Sequence, residues 1–246
     1  GREQLLSADD EVNLSKKMEE GAQIIKSVIQ DSGIMITCFE EIITKLNTKY
    51  EEAEDYNVKD QKELISEQKR YASFYKADLK EVQGDIKKYS ELKQKKIAAG
   101  EEVITDEELL KKHEKILKKL KTIDLQPEEI TMFTDLFTKA EHDIIGIKNS
   151  KALLEEKLQV ANDKEVRQLS RDLITASKKE SVEERLGLSG DTIKDLVGQY
   201  QTAVRSLKKI ELEFEDHCDS ILIKAREIRR GMEMLKNAKD RLIQAN

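Results

Sequence analysis

Three histidines (His113, His142, His217) and two cysteines (Cys38, Cys218) are the side chains of this 246-residue chain best suited to nucleophilic, acid–base or metal chemistry. None of the histidines stands in H-E-x-x-H, in a Glu-x-x-His pair on facing helices, or at a useful spacing from a nucleophile. Glu213 and His217 lie four apart on one helix face, next to Cys218, and so offer two metal ligands. In a helix this rich in acid such a pair arises by chance, and the expectation for His217 is a solvated or seam-flanking side chain. Gly187-Leu188-Ser189-Gly190-Asp191-Thr192 precedes a helix as a phosphate cradle would, but it lacks the lysine and the preceding strand of a P-loop. It reads as a helix entry. The chain is therefore expected to be no enzyme, with no metal site, no cofactor and no small-molecule substrate.

The lysines point to surface binding instead. Lys87, Lys88, Lys93, Lys95 and Lys96 stand against Glu91, and Lys111, Lys112, Lys115, Lys118, Lys119 and Lys121 stand against Glu114. A third basic run holds Lys224, Arg226, Arg229, Arg230, Lys236, Lys239 and Arg241. Such islands dock on an anionic lipid surface, at about 1 kcal/mol per residue, or steer an acidic protein partner. The first two islands are the candidate binding residues. The competing reading is solvated lysines on exposed helix faces. A net charge of −6 argues against a nucleic-acid partner.

Long helices must carry these groups. Ile193, Val197, Tyr200, Val204, Leu207, Phe214, Cys218, Ile221, Ala225, Ile228, Met232, Leu235 and Leu242 keep a 4-3 apolar rhythm that only Glu211 and Lys239 interrupt. That rhythm predicts one helix of roughly 75 Å, packed lengthwise on others. With 38% charged residues, one proline, no tryptophan and 4% aromatics, the composition suits helices with a narrow buried seam and a broad wet face. The predicted fold is all-α: an elongated antiparallel helical bundle or coiled coil, one domain over 1–246. It has four long helices, near 8–55, 58–98, 127–178 and 191–244, and one short helix.

Local signals set the ends. Ser7 caps the first helix, with Asp9, Asp10 and Glu11 in its first turn, and a bend is expected near Ser32-Gly33. Its seam runs through Met18, Ala22, Ile25 and Ile29, and on to Tyr50 and Ala53. A turn is expected at Tyr56 to Gln61, where Asn57 and Asp60 are candidate caps. The second seam includes Gln68, Ala72, Tyr75, Leu79, Val82, Ile86 and Tyr89, ending near Gly100. T-x-x-E at Thr105–Glu108 opens the short helix, and Pro127 opens the fourth. Val166 to Leu173 extends that helix, and Ser189 or Asp191 caps the last. Pairing residue 8 with 245 sets the last helix antiparallel to the first, with Phe214, Ile221, Ile228 and Leu235 buried. Cys38 then lies level with about 215, and both cysteines are expected as buried thiols in place of a disulfide.

No targeting or membrane-spanning segment is evident, and the expected setting is cytoplasmic. Because it begins with Gly1, the chain reads as a piece of a longer protein. In length and helix architecture it resembles the crescent-shaped Bin/amphiphysin/Rvs dimers. The reading that follows is a non-catalytic interaction module that binds a protein partner, itself, or an anionic membrane. The alternative is the soluble helical component of a secreted bacterial pore-forming toxin or translocated effector system. Those components resemble long five-helix bundles but carry an apolar tongue that this sequence lacks.

Overall fold

The computed structural model describes residues 7–48 and 58–244. Of these 86% are helical and none is in a strand. In chain order the helices are α1 (Ala8–Gln30), α2 (Ile34–Asn47), α3 (Val58–Phe74), α4 (Lys76–Ala98) and α5 (Glu107–Leu120). They continue as α6 (Pro127–Leu158), α7 (Asp163–Ile174), α8 (Ala176–Leu186), α9 (Gly190–Phe214) and α10 (Cys218–Gln244). No helix among the described residues is long and apolar enough to cross a membrane.

The all-α class stands, but each expected long helix is broken. The first divides at Asp31–Gly33, close to the expected bend. A β-carbon on Gly33 would lie 2.7 Å from both the Glu215 Cβ and His113 Nε2, so only glycine fits this joint. The second divides at Tyr75 (φ −122°, ψ −14°), although the Tyr75 N–H still bonds to Tyr71 O at 2.8 Å. The fourth ends at Leu158, where Gln159 turns left-handed at φ 51°. Asn162 then caps α7 by accepting from the Lys164 and Glu165 amides, while Glu165 reaches back to the Ala161 N–H at 2.7 Å. The last divides at Glu215, φ 53°, so the single helix from 193 to 242 is two helices. A heptad rhythm reports which side chains share a face. It does not detect a joint that resumes the same seam on its far side.

Caps follow the local chemistry. Ser7 caps α1 as expected, and Asp10 completes a capping box with it. The cap of α5 is Asp106 in place of Thr105, its carboxylate accepting from Leu109 N at 2.9 Å. Gly100 and Gly187 take left-handed conformations at φ 74° and 64°, and Ser189 accepts from Thr192 N at 3.3 Å ahead of α9. α2 ends at Asn47 with Thr48 extended. The Asn57 cap and the seam positions Tyr50 and Ala53 lie outside the described residues.

The chain packs as two compact units, residues 139–211 forming one and the remainder the other. In the larger unit α1 and α10 lie antiparallel with Gly21 against Gly231, one position from the register expected from sequence. Phe214, Ile221 and Ile228 are buried as expected and Leu235 half so, but the α1 seam uses Gly21 where Ala22 was expected. In the second seam Tyr71 is buried where Ala72 was expected. α5 runs antiparallel to α4, with Lys96 bonded to Asp106 and Lys119 to Asp85 at 2.9 Å. In the smaller unit Leu158, Val166, Leu169, Val182, Ile193 and Tyr200 form a separate apolar core.

Candidate functional site

Two helix joints meet in the larger unit, and a buried carboxylate lies between them. Glu215, at the α9–α10 joint, has its side chain 6% exposed. Tyr89 and Lys93, one turn apart on α4, reach it from one side: the tyrosine hydroxyl donates to Oε2 at 2.7 Å and the ammonium to Oε1 at 2.6 Å. His113 of α5 brings Nε2 within 3.3 Å of Oε2 but is not aligned for a hydrogen bond. Lys93 also donates to Leu212 O at 2.9 Å, placing its charge at the negative end of α9. Around this group, Lys224 donates to Asp216 Oδ2 at 2.7 Å and to Asp31 O at 3.3 Å, tying one joint to the other. Thr37 donates to Glu213 O at 3.1 Å.

The electrostatics follow from enclosure. Burial lowers the His113 pKa, the Glu215 charge pulling the other way, so the imidazole favours its neutral form. Burial, then the neighbouring Glu215 charge and its hydrogen bond, raise the pKa of Tyr89 and keep it a donor. The cavity here is about 20 Å³, lined in part by Tyr89, Lys93, Leu109, His113 and Glu215. That is room for about one water. The arrangement neutralises a buried charge and clamps two joints, and it offers no space beside the carboxylate for a larger molecule.

A second buried carboxylate holds the α3–α4 joint. Glu129, in the first turn of α6 where the helix dipole favours an anion, has a side chain 2% exposed. It accepts from Arg70 Nη2 at 2.5 Å and from the Tyr75 hydroxyl. The same hydroxyl accepts from the Gln126 N–H at 3.0 Å. Arg70 stacks over Tyr71, 4.6 Å from the ring centre.

These clusters were not expected from sequence, where acidic residues are too common for any one to stand out. The available signal was the run Glu213-Phe214-Glu215-Asp216-His217, which sets four titratable groups across an apolar seam. The candidate lysines divide. Lys93 and Lys96 are tied to Glu215 and Asp106, Lys112 lies 3.7 Å from Glu108, Lys115 and Lys119 share Asp85, and Lys121 pairs with Asp31. Lys87, Lys88, Lys95, Lys111 and Lys118 are exposed and have no ion-pair partner among the described residues. In the third run Lys224 is bound to Asp216 and Arg230 lies 3.4 Å from Glu227.

Glu213 and His217 are exposed. Among the described residues no three His, Cys, Asp or Glu side chains converge as metal ligands would. Cys38 and Cys218 are buried free thiols, and burial pushes the Cys38 pKa up to about 12, suppressing its thiolate. No protein-family model matches the chain.

Proposed function

We propose that this chain is a non-catalytic interaction module, a helical bundle that engages an acidic protein partner through its helix faces. The observation that carries this reading is the division of the lysines between internal and free. Lys115 and Lys119 are committed to Asp85 in the α4–α5 seam. Lys88 with Lys95, and Lys111 with Lys118, are spaced by seven, so each pair recurs on one helix face. These four are exposed without ion-pair partners among the described residues. A partner meets them without breaking an internal ion pair among the described residues, whereas Glu215 and Glu129 are buried and each already accepts from two donors. The enclosure of the Glu215 cluster supports a structural use of its titratable groups.

Charge reversal at Lys111 and Lys118 tests the reading, because neither residue takes part in an ion pair among the described residues. The double variant to Glu should melt like the parent, since exposed charges contribute little to stability. It should elute from immobilised polyglutamate at lower salt, because such contacts are screened. Unchanged elution would make these lysines ordinary solvated groups. Sedimentation with phosphatidylserine vesicles but no retention on polyglutamate would move the reading to a membrane surface. Light scattering that finds a dimer broken by the same variant would move it to self-association.

A further inference from the structure

A recessed groove between α2, α3 and α4 is lined with lysines although the chain carries a net charge of −6. Its larger part, about 490 Å³, is floored by Ile43, Leu46, Ala72 and Leu79 and lined with Lys69, Lys76 and Lys80. Through Ile43, Asn47 and Gln83 it continues into a stretch of about 350 Å³ that adds Ile86 and Lys87. Among the described residues, Glu40 at the far end is the one carboxylate in the lining. All four lysines are exposed, and none has an ion-pair partner among the described residues.

The spacing gives the groove a direction. Lys76, Lys80, Gln83 and Lys87 follow i, i+4, i+7, i+11 on α4, one face held for three turns or about 16 Å. Leu79 and Ile86, spaced by seven, are core residues at the bottom of the groove, and the half-buried Ile43 and Leu46 of α2 form its accessible apolar wall. A straight apolar floor beside a basic edge complements an amphipathic helix with apolar residues at i, i+3/i+4, i+7 and acids on its flank.

We propose that this groove binds an acidic amphipathic helix of about three turns from a protein partner. The site is concave, so a flat lipid surface meets the lysines but not the floor. Among the described residues its lining holds no aromatic side chain on which bases would stack. The proposal rests on the reading of the chain as an interaction module and adds a second, apolar surface to it.

The test is fluorescence anisotropy with the full chain and a labelled synthetic helical peptide. The peptide carries leucines at the three spacings above and glutamates on one flank, and a scrambled peptide of the same composition serves as control. Saturable binding is expected, weakened at least about tenfold, or about 1.4 kcal/mol, by scrambling or by Lys76→Glu combined with Lys80→Glu. Ala72→Trp, which fills the floor from an exposed position of α3, should also block binding while circular dichroism stays unchanged. If that variant misfolds, the charge reversal decides alone. Lys111→Glu with Lys118→Glu should leave peptide binding unaltered. No saturation, equal binding of the scrambled peptide, or indifference to the Lys76 and Lys80 reversal overturns the proposal. So does vesicle binding that depends on these lysines without peptide binding. If the peptide fails while the Lys111 and Lys118 reversal still lowers retention on polyglutamate, the groove falls and the wider function stands.

Discussion

Gly21 of α1 and Gly231 of α10 stand backbone to backbone: a β-carbon built on either would lie 2.7 Å from the other's carbonyl oxygen. A glycine within a helix ordinarily costs about 0.5–1 kcal/mol relative to alanine. At these two positions that cost is offset by the close approach of the helices, which lets Ile25, Ile221, Ala225 and Ile228 be buried nearby.

Gly231→Ala should therefore destabilise the chain by about 1–3 kcal/mol, as overpacking of a tight interface does, despite alanine's higher helix propensity. The added methyl meets backbone at Gly21 O and the Ile25 side chain at 2.8 Å. Gly84 and Gly146 lie within helices where a β-carbon would meet, beyond the helix's own adjacent backbone, no heavy atom within 4 Å among the described residues. Alanine there should stabilise by about 0.5–1 kcal/mol. Urea unfolding of the three variants checks the contrast. A Gly231→Ala midpoint that rises like that of Gly84→Ala would show that α1 and α10 are farther apart.

The α10 register has an equally direct check. Ile221 is fully buried and Ile223, two residues on, is 60% exposed. Ile221→Asp should cost about 3–5 kcal/mol through an unpaired buried charge. Ile223→Asp should stay within about 0.5 kcal/mol of the parent. Equal melting temperatures for the two variants would be incompatible with this face assignment.

Arg70 and Glu129 should be strongly coupled. Arg70→Ala leaves the Glu129 carboxylate with the Tyr75 hydroxyl and removes the stack on Tyr71, a loss of about 3–5 kcal/mol. Glu129→Gln keeps an acceptor for Tyr75 and removes the charge, so Arg70→Ala should cost much less in that background. A double-mutant cycle in urea should give a coupling of about 0.5–3 kcal/mol. Strict additivity would mean the pair is held together by its surroundings alone.

How much of this was legible follows from the range of each interaction. Ser7, Gly100, Pro127 and Gly187 were legible because capping and left-handed turns are decided within a few residues. Asn162 with Glu165 carried the same kind of signal, an N-x-x-E box that ends one helix and begins another. The antiparallel setting of α1 and α10 was legible because two long seams must cover one another. The Glu215 and Glu129 clusters were not. Their partners lie far apart in sequence, Tyr89 and His113 for one and Arg70 and Tyr75 for the other. The joints at Tyr75 and Glu215 were hidden because the heptad phase continues through them. Which lysines are free depended on carboxylates such as Asp85 and Glu215, which only the packing of α4, α5 and the α9–α10 joint brings close.

His113 should make stability depend on pH. Its pKa in the folded chain is lowered, first by burial and then by Lys93 and Lys224, with Glu215 and Asp216 opposing; Tyr89 packs beside the ring, 6.2 Å between centres. In the unfolded chain the imidazole takes its proton near the ordinary value of 6.5. Below that pH the unfolded state binds a proton that the folded state refuses, so stability falls as the pH falls. The loss begins near pH 7 and grows by at most about 1.4 kcal/mol per pH unit for this one group. It levels off once the folded pKa is passed. His113→Gln should remove that slope between pH 7 and the folded pKa, while His142→Gln at an exposed position should keep it. Urea midpoints across that window provide the measurement. A slope that survives in His113→Gln would assign the pH dependence to other groups and leave the His113–Glu215 contact a matter of packing.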